Sequence, residues 1–251
     1  GATGLGKSIV HKLNAKGAIV AVLDVVPLDY QLENVHYFKC NVLFSEEIKN
    51  VINDVVEKVG KPTILINNAG VVKTANTFDK IPDEEIDMVL GINLNAPMHF
   101  CRYVLPMMIE QEVGHIVNIA SILGHVAPAF LAAYCSSKAG FISFHESILN
   151  DLQISYPDCS IKTTLVMPGK LTTKLFIEAQ NFDTFWMPEQ EPEPLAEWIV
   201  DELEIHRHHE IKCPTYGHSF PLLRFFDVGM RRFLYKLTRA NDYMINYVDK
   251  K

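Results

Sequence analysis

The chain has 251 residues, of which 48% are hydrophobic and 21% charged, the balance of a globular protein able to bury one large core. A net charge of −7 gives no electrostatic reason to expect a nucleic-acid partner. Five scattered cysteines (Cys40, Cys101, Cys135, Cys159 and Cys213) with no Cys-x-x-Cys pair argue against a disulfide scaffold and fit free thiols in a reducing compartment. No apolar run is long enough to span a bilayer. The chain starts at Gly1 inside a glycine-rich stretch, so the expectation is a fragment whose N-terminus, with any anchor or address there, is missing.

Gly1-Ala2-Thr3-Gly4-Leu5-Gly6 runs into a helical pattern at Ile9, Val10 and Leu13. Glycines before a helix let backbone approach a diphosphate, and the helix N-terminus offers free N–H groups; plain loop chemistry is the other reading. Ala18 to Leu23 reads as a buried parallel strand ending at Asp24. A carboxylate there suits a ribose 2′-hydroxyl and would repel a 2′-phosphate, against the plainer reading of a solvated strand end. Val35 to Lys39 is a further strand. Ser45 is the expected cap of a helix carrying Ile48, Val51, Ile52, Val55 and Val56 on one face.

Thr63 to Ile66 is a short buried strand that ends in Asn67-Asn68-Ala69-Gly70. Pro82 to Met108 is largely helical, interrupted by the polar residues of Gly91-Ile92-Asn93-Leu94-Asn95. A buried Asn needs partners, so Asn93 is either bonded to nearby backbone or shapes a site. Gly114 to Ala120 is a strand ending at Ser121, and Ile122 to Leu131 an apolar loop. Tyr134 and Lys138 then lie four apart at the head of an amphipathic helix, on one face. A cation beside a phenol favours phenolate and brings its pKa toward a working range; a half-buried Tyr beside a solvated Lys is the alternative. Ile161 to Met167 is the next strand, closed by Pro168-Gly169.

Beyond Lys170 the strand–helix alternation dissolves. A lid is expected at 171–192, rich in Leu175, Phe176, Ile177, Phe182, Phe185, Trp186 and Met187. Leu195 to Ile205 is a helix, and His206-Arg207-His208-His209 reads as its solvated end rather than a metal site. The dinucleotide-binding and catalytic domain is expected to cover 1–213. A helical tail over 214–251 follows. In it Leu222, Phe226, Met230, Phe233 and Leu237 form one helical face amid Arg224, Arg231, Arg232, Lys236 and Arg239. That pattern suits contact with a membrane surface through 220–239, or packing on the domain or a second subunit.

The alternation predicts a single Rossmann-like α/β domain, a doubly wound parallel sheet with helices on both faces. The glycine loop, Asp24, Asn67–Gly70, Ser121 and Pro168–Gly169 then share the edge formed by strand C-termini, where such sheets bind ligands. Ser121 and Tyr134 can face one substrate oxygen.

In the stretches Gly-Ala-Thr-Gly-Leu-Gly, Asn-Asn-Ala-Gly, Ile-Asn-Leu-Asn, Ile-Ala-Ser, Tyr-Cys-Ser-Ser-Lys and Pro-Gly, the chain resembles the short-chain dehydrogenase/reductase family to about Gly169. Within it the apolar lid and tail resemble the hydroxysteroid and retinol dehydrogenase-like branch, often membrane-associated. The resemblance implies an NAD(P)-dependent oxidoreductase with Tyr134 as general acid/base. Lys138 would hold the nicotinamide ribose and lower the Tyr134 pKa, Ser121 would bond the substrate oxygen, and Asn93 would position a relay water. Gly4, Leu5 and Gly6 would meet the diphosphate, and Asp24 makes NAD the expected cofactor rather than NADP. Asn41 and Val42 would lie by the adenine, with Asn41 where the family often has Asp. Asn68, Ala69 and Gly70 would border the adenosine, and Pro168, Gly169 and Thr173 the nicotinamide. Ala120 stands where a serine is common.

The implied substrate is a small lipophilic alcohol or its ketone or aldehyde, with no metal. The family also implies a homodimer, and the surroundings expected are intracellular, at the cytosolic face of the endoplasmic reticulum or a lipid droplet. The family's first strand has no counterpart here. Its place lies between Ala18–Leu23 and Thr63–Ile66, so these neighbours should show unpaired edges. A second reading, from a different class, is a catalytically weak NAD-binding scaffold at a membrane surface.

Overall fold

In the computed structural model every strand pairing is parallel, and residues 1–73, 76–173, 175, 188–238 and 241 are described. The elements alternate as the hydrophobic pattern demands. Helix α1 (Gly4–Ala15) leads to β1 (Val20–Asp24) and β2 (Val35–Lys39), then α2 (Ser45–Lys58) and β3 (Ile64–Asn67). Helix α3 (Asp83–Leu90) continues through a wide turn, Gly91–Asn95, into α4 (Ala96–Glu110). Next come β4 (Val113–Ile119), α5 (Ala132–Ser155), β5 (Ser160–Pro168), α6 (Pro192–Ile205), β6 (His209–Cys213) and α7 (Val228–Leu237).

The strands form two ladders, β1–β2 and β3–β4–β5–β6. β1 and β3 are not bonded to each other, so each shows an unpaired edge. In the larger ladder β4 pairs with β5 from Val113↔Ser160 to Ile119↔Val166, and both strands are buried over almost their whole length. Side-chain alternation sends the two faces to different helices. Ile116 and Ile161 meet Ile48 and Val51 of α2 and Val104 and Met108 of α4. Val117, Ile119, Val166 and Ile211 meet Leu5 and Ile9 of α1 and Leu195 and Ile199 of α6. Burial on both faces is the property of a doubly wound parallel sheet. Gly114 lets α4 come close, since a Cβ there would lie 2.6 Å from the Met108 Sδ.

Four sequence expectations need correction. The alternation does not dissolve after Lys170: α6 and β6 continue it. The histidine run is not a solvated helix end. His206 takes a left-handed turn (φ 50°), the His208 imidazole accepts from the Thr163 N–H at 3.2 Å, and His209 opens β6. The tail is not one helix. A tight 3-10 segment over Thr215–Phe225, holding Pro221, ends at Phe226, and Asp227 caps α7 by accepting from the Met230 N–H at 3.0 Å. Phe44 rather than Ser45 precedes the first turn of α2. The lid residues Phe176, Ile177, Phe182, Phe185, Trp186 and Met187, and Arg239 of the tail, lie outside the described residues.

Candidate active site

Ser121 follows β4 at the C-terminal edge of the sheet, and Tyr134 and Lys138 lie on the first turns of α5. The Ser121 Oγ accepts from the Leu123 N–H at 3.1 Å, which starts the turn Ile122–Gly124 and fixes the hydroxyl. The same hydroxyl reaches the Pro168 carbonyl at 3.5 Å and shares a hydrogen bond with the Tyr134 phenol. Thus β4, α5 and the end of β5 converge on one oxygen pair.

Tyr134 is buried beside Val89, Leu131 and Cys135. Burial pushes its pKa above the ordinary value, and the Ser121 hydrogen bond only partly offsets this. The expected lowering by Lys138 is therefore corrected. The ammonium lies 5.9 Å from the Tyr134 ring centroid, and it donates at 2.9 Å to the Ile119 carbonyl. Lys138 is itself almost fully enclosed, and burial pushes its pKa down to about 8. A lysine so placed changes charge near neutral pH, where an exposed one would not.

Asn93 is completely buried in the wide turn between α3 and α4. Pro97 has no N–H to offer the Asn93 carbonyl four residues back, and the turn widens until the Ala96 N–H bonds the Gly91 carbonyl five residues back. The Asn93 Oδ1 accepts from the Val71 N–H at 2.8 Å. Its Nδ2 donates to the Val71 carbonyl at 2.9 Å and to the Ser137 Oγ at 3.1 Å. Ser137 passes the link on by donating to the Tyr134 carbonyl at 2.7 Å. The side chain is thus a clamp between the loop after β3 and the catalytic helix. Both its amide hydrogens are committed.

The cofactor-side residues gather along the same edge. α1 begins at Gly4 (φ 53°), with Thr3 before it making no side-chain cap and no acid in the first turn. The first amides are therefore free of the usual competing carboxylate or hydroxyl, as a diphosphate site requires. A Cβ on Gly4 would come within 3.3 Å of Thr173, and one on Gly6 within 2.7 Å of the Asn68 Nδ2, so the glycine loop, Asn68 and Thr173 meet. Gly70 faces Asn93 and Lys138, at 3.5 and 3.7 Å from its Cβ position. Leu5 instead turns into the core, so only its backbone is available. Gly169 donates to the Cys213 carbonyl at 2.6 Å, tying the end of β5 to β6.

At the end of β1, Asp24 accepts from the Gly1 amine at 2.9 Å, the Ala2 N–H at 3.0 Å and the Val26 N–H at 3.1 Å. Burial acts to raise its pKa, but these donors outweigh it and hold the carboxyl below its usual range. Asn41, past β2, accepts from the Leu43 N–H at 3.2 Å, and Val42 packs on the nearby core. Ala69 is exposed at the sheet edge. The uncapped α1 amides and the glycine cradle fit a dinucleotide. Among the described residues, no cluster of His, Cys, Asp and Glu could hold a metal ion.

A buried polar chain behind the site was not singled out from the sequence. Asn67 and Asn118 are partners in register on β3 and β4, and the Asn67 Nδ2 donates to the Asn118 Oδ1 at 2.8 Å. Asn118 meets the His145 Nδ1 on α5 at 3.1 Å. Burial pushes the His145 pKa down to about 4, so the ring is neutral and its Nδ1 accepts. Two asparagines inside apolar strands were the available signal.

A family model described as short chain dehydrogenase matches residues 1–183. The chain belongs to the short-chain dehydrogenase family. An uncharacterised oxidoreductase of Saccharomyces cerevisiae is 30% identical over 89% of this chain and 75% of its own length. Estradiol 17-beta-dehydrogenase 11 of Rattus norvegicus is 32% identical over 86% of this chain and 71% of its own. Retinol dehydrogenase 10-A of Danio rerio is 37% identical over 66% of this chain, which spans 48% of that relative. A short-chain dehydrogenase from Streptomyces avermitilis superposes with a TM-score of 0.77 at 23% identity, over 95% of this chain and 96% of that one. The family assignment makes this chain an oxidoreductase of Rossmann-type fold, and the family's cofactor is NAD(P).

Proposed function

We propose that the chain transfers a hydride between NAD and a lipophilic alcohol, or the corresponding aldehyde or ketone, of retinoid, steroid or long-chain type. The observation that carries this reading is the Tyr134 phenol, hydrogen-bonded to Ser121 and flanked by Lys138 within an apolar enclosure. The names of the estradiol and retinol dehydrogenase relatives support the substrate class.

NAD would lie along the sheet edge, with its diphosphate at the Gly4–Gly6 amides and its nicotinamide near Gly169 and Thr173. When bound, the nicotinamide supplies or accepts the hydride. Tyr134 exchanges the proton with the substrate oxygen, and Ser121 donates to that oxygen as charge develops on it. Lys138, 5.9 Å from the centre of the Tyr134 ring, would hold the nicotinamide ribose hydroxyls. Asn93 acts through Ser137 to hold the Tyr134 backbone in place. Asp24, which accepts from the Ala2 and Val26 N–H groups, favours a ribose 2′-hydroxyl over a 2′-phosphate.

The test is reduction of NAD with a panel of retinols, hydroxysteroids and long-chain alcohols. Tyr134→Phe removes the proton donor with little change of shape. It should lower kcat by roughly 10²–10⁴-fold. Turnover of any active substrate at the wild-type rate by that variant would overturn the mechanism, and a clear preference for NADP would overturn the Asp24 reading.

A further inference from the structure

The tail presents an unusual surface. Helix α7 is amphipathic, yet most of its apolar face is not the side that packs. The Tyr235 hydroxyl accepts from the Ala127 N–H at 3.0 Å, and Arg231, Leu234 and Thr238 on the same side are partly covered. At helical spacing the opposite face carries Met230, Phe233 and Leu237, which are 45%, 59% and 58% exposed. The preceding 3-10 segment continues the pattern with Leu222 at 56% and Phe225 at 86% exposed, and Phe226 follows at 46%. An amphipathic helix packed for stability buries its apolar face; here that face is the outer one.

The charges fit one kind of partner. Arg232 and Lys236 are exposed and flank the apolar stripe of α7. Arg224 is fixed at its base, donating to the Gly124 carbonyl at 2.9 Å. Asp227 is the sole acid among residues 222–237, and it is engaged as the α7 cap, although the whole chain carries −7. Aromatic and aliphatic side chains facing outward, with long cations at their margin, suit an interface of acyl chains and anionic headgroups.

The location adds to this. Arg224 and Tyr235, together with Asn241, whose Oδ1 accepts from the Ala129 N–H at 3.0 Å, all grip the loop that joins Ser121 to Tyr134. We infer that residues 222–237 form a docking face for an anionic lipid surface, and that docking holds the Ser121–Tyr134 loop against that surface. This goes beyond the proposed reaction and does not depend on it.

The test is flotation of the whole chain with vesicles of phosphatidylcholine alone, and of phosphatidylcholine with phosphatidylserine. Binding is expected on the anionic vesicles and should weaken as salt rises. Phe225→Glu with Phe233→Glu should lower the partition coefficient by roughly tenfold or more. Arg232→Gln and Lys236→Gln should each lower it about fivefold. Thermal midpoints check that the variants fold, and Phe225→Ala with Phe233→Ala replaces the Glu pair if it does not. Absence of flotation on either vesicle overturns the proposal, as does binding unchanged by both sets of substitutions. Self-association without vesicles, abolished by the Phe variants, would identify a second copy as the occupant and also overturn it. Loss of flotation leaves alcohol oxidation intact, so the two readings fail separately.

Discussion

Replacing Lys138 by Met should make the protein more stable at neutral pH while removing its activity. Lys138 is 4% exposed, and burial brings its pKa from 10.5 to about 8. That difference, 10.5 − 8 = 2.5 units, corresponds to about 3 kcal/mol of cost in keeping the folded lysine charged at pH 7. Met fills nearly the same volume without a charge. It leaves the Ile119 carbonyl without the 2.9 Å donor, at a cost of about 1 kcal/mol. The balance is a gain of about 2 kcal/mol, or roughly 4–8 °C in Tm for a chain of this size. The pH dependence gives a sharper check. Between pH 8 and 10.5 the unfolded lysine binds more protons than the folded one, so wild-type stability gains with rising pH across that window. Lys138→Met should lack this gain, so the two stability curves should cross before pH 10.5 and leave wild type ahead by about the 1 kcal/mol of the Ile119 hydrogen bond. Urea unfolding at pH 7, 8, 9 and 10 measures both quantities. A variant less stable than wild type at pH 7, with the same slope above pH 8, would refute the account of a buried charge.

Other substitutions read other parts of the structure. Asn93→Ala leaves both polar groups of Val71 without partners and should cost about 3 kcal/mol, seen as an earlier urea midpoint. Gly6→Ala drives a Cβ to 2.7 Å from the Asn68 Nδ2 and 3.1 Å from the Gly1 Cα; NAD affinity by fluorescence titration should fall roughly tenfold or more. In acid, His115 and His145 matter: burial puts both pKa values at about 4. As pH falls from 6.5 toward 4 the unfolded rings protonate first, so wild-type stability falls in that window, and His145→Phe should flatten the decline in a pH series of thermal melts.

The sequence made the frame legible because buried parallel strands and amphipathic helices leave simple periodic traces. Ile116 and Val117, adjacent in one apolar run, go to opposite helical layers, and that run alone signals a strand covered on both sides. The grouping of Ser121, Tyr134 and Lys138 was legible for a similar reason: a strand end and one helical face fix where they point. β6 was missed because His-Glu-Ile-Lys-Cys buries only Ile211 and otherwise reads as surface. The split tail was missed because periodicity ran across Pro221 and Asp227, whose local effects dominate. The Tyr134 pKa was misjudged for a deeper reason. Helical spacing tells which groups are neighbours, but desolvation depends on everything else that surrounds them.

The wide turn at Gly91–Asn95 has a consequence for how this site tolerates change. An ordinary helix advances about 100° per residue, so one surplus residue between α3 and α4 sets the rotational phase of all that follows. Deleting a residue there would restore a regular rod, and it would also swing Asn93 and the face of α4 out of alignment with each other. The irregularity therefore works as a phase adjuster, letting one continuous helical rod present a core face at one end and a catalytic clamp at its middle. Substitutions in this rod should be far better tolerated than insertions or deletions, even where the altered residue touches nothing in the site.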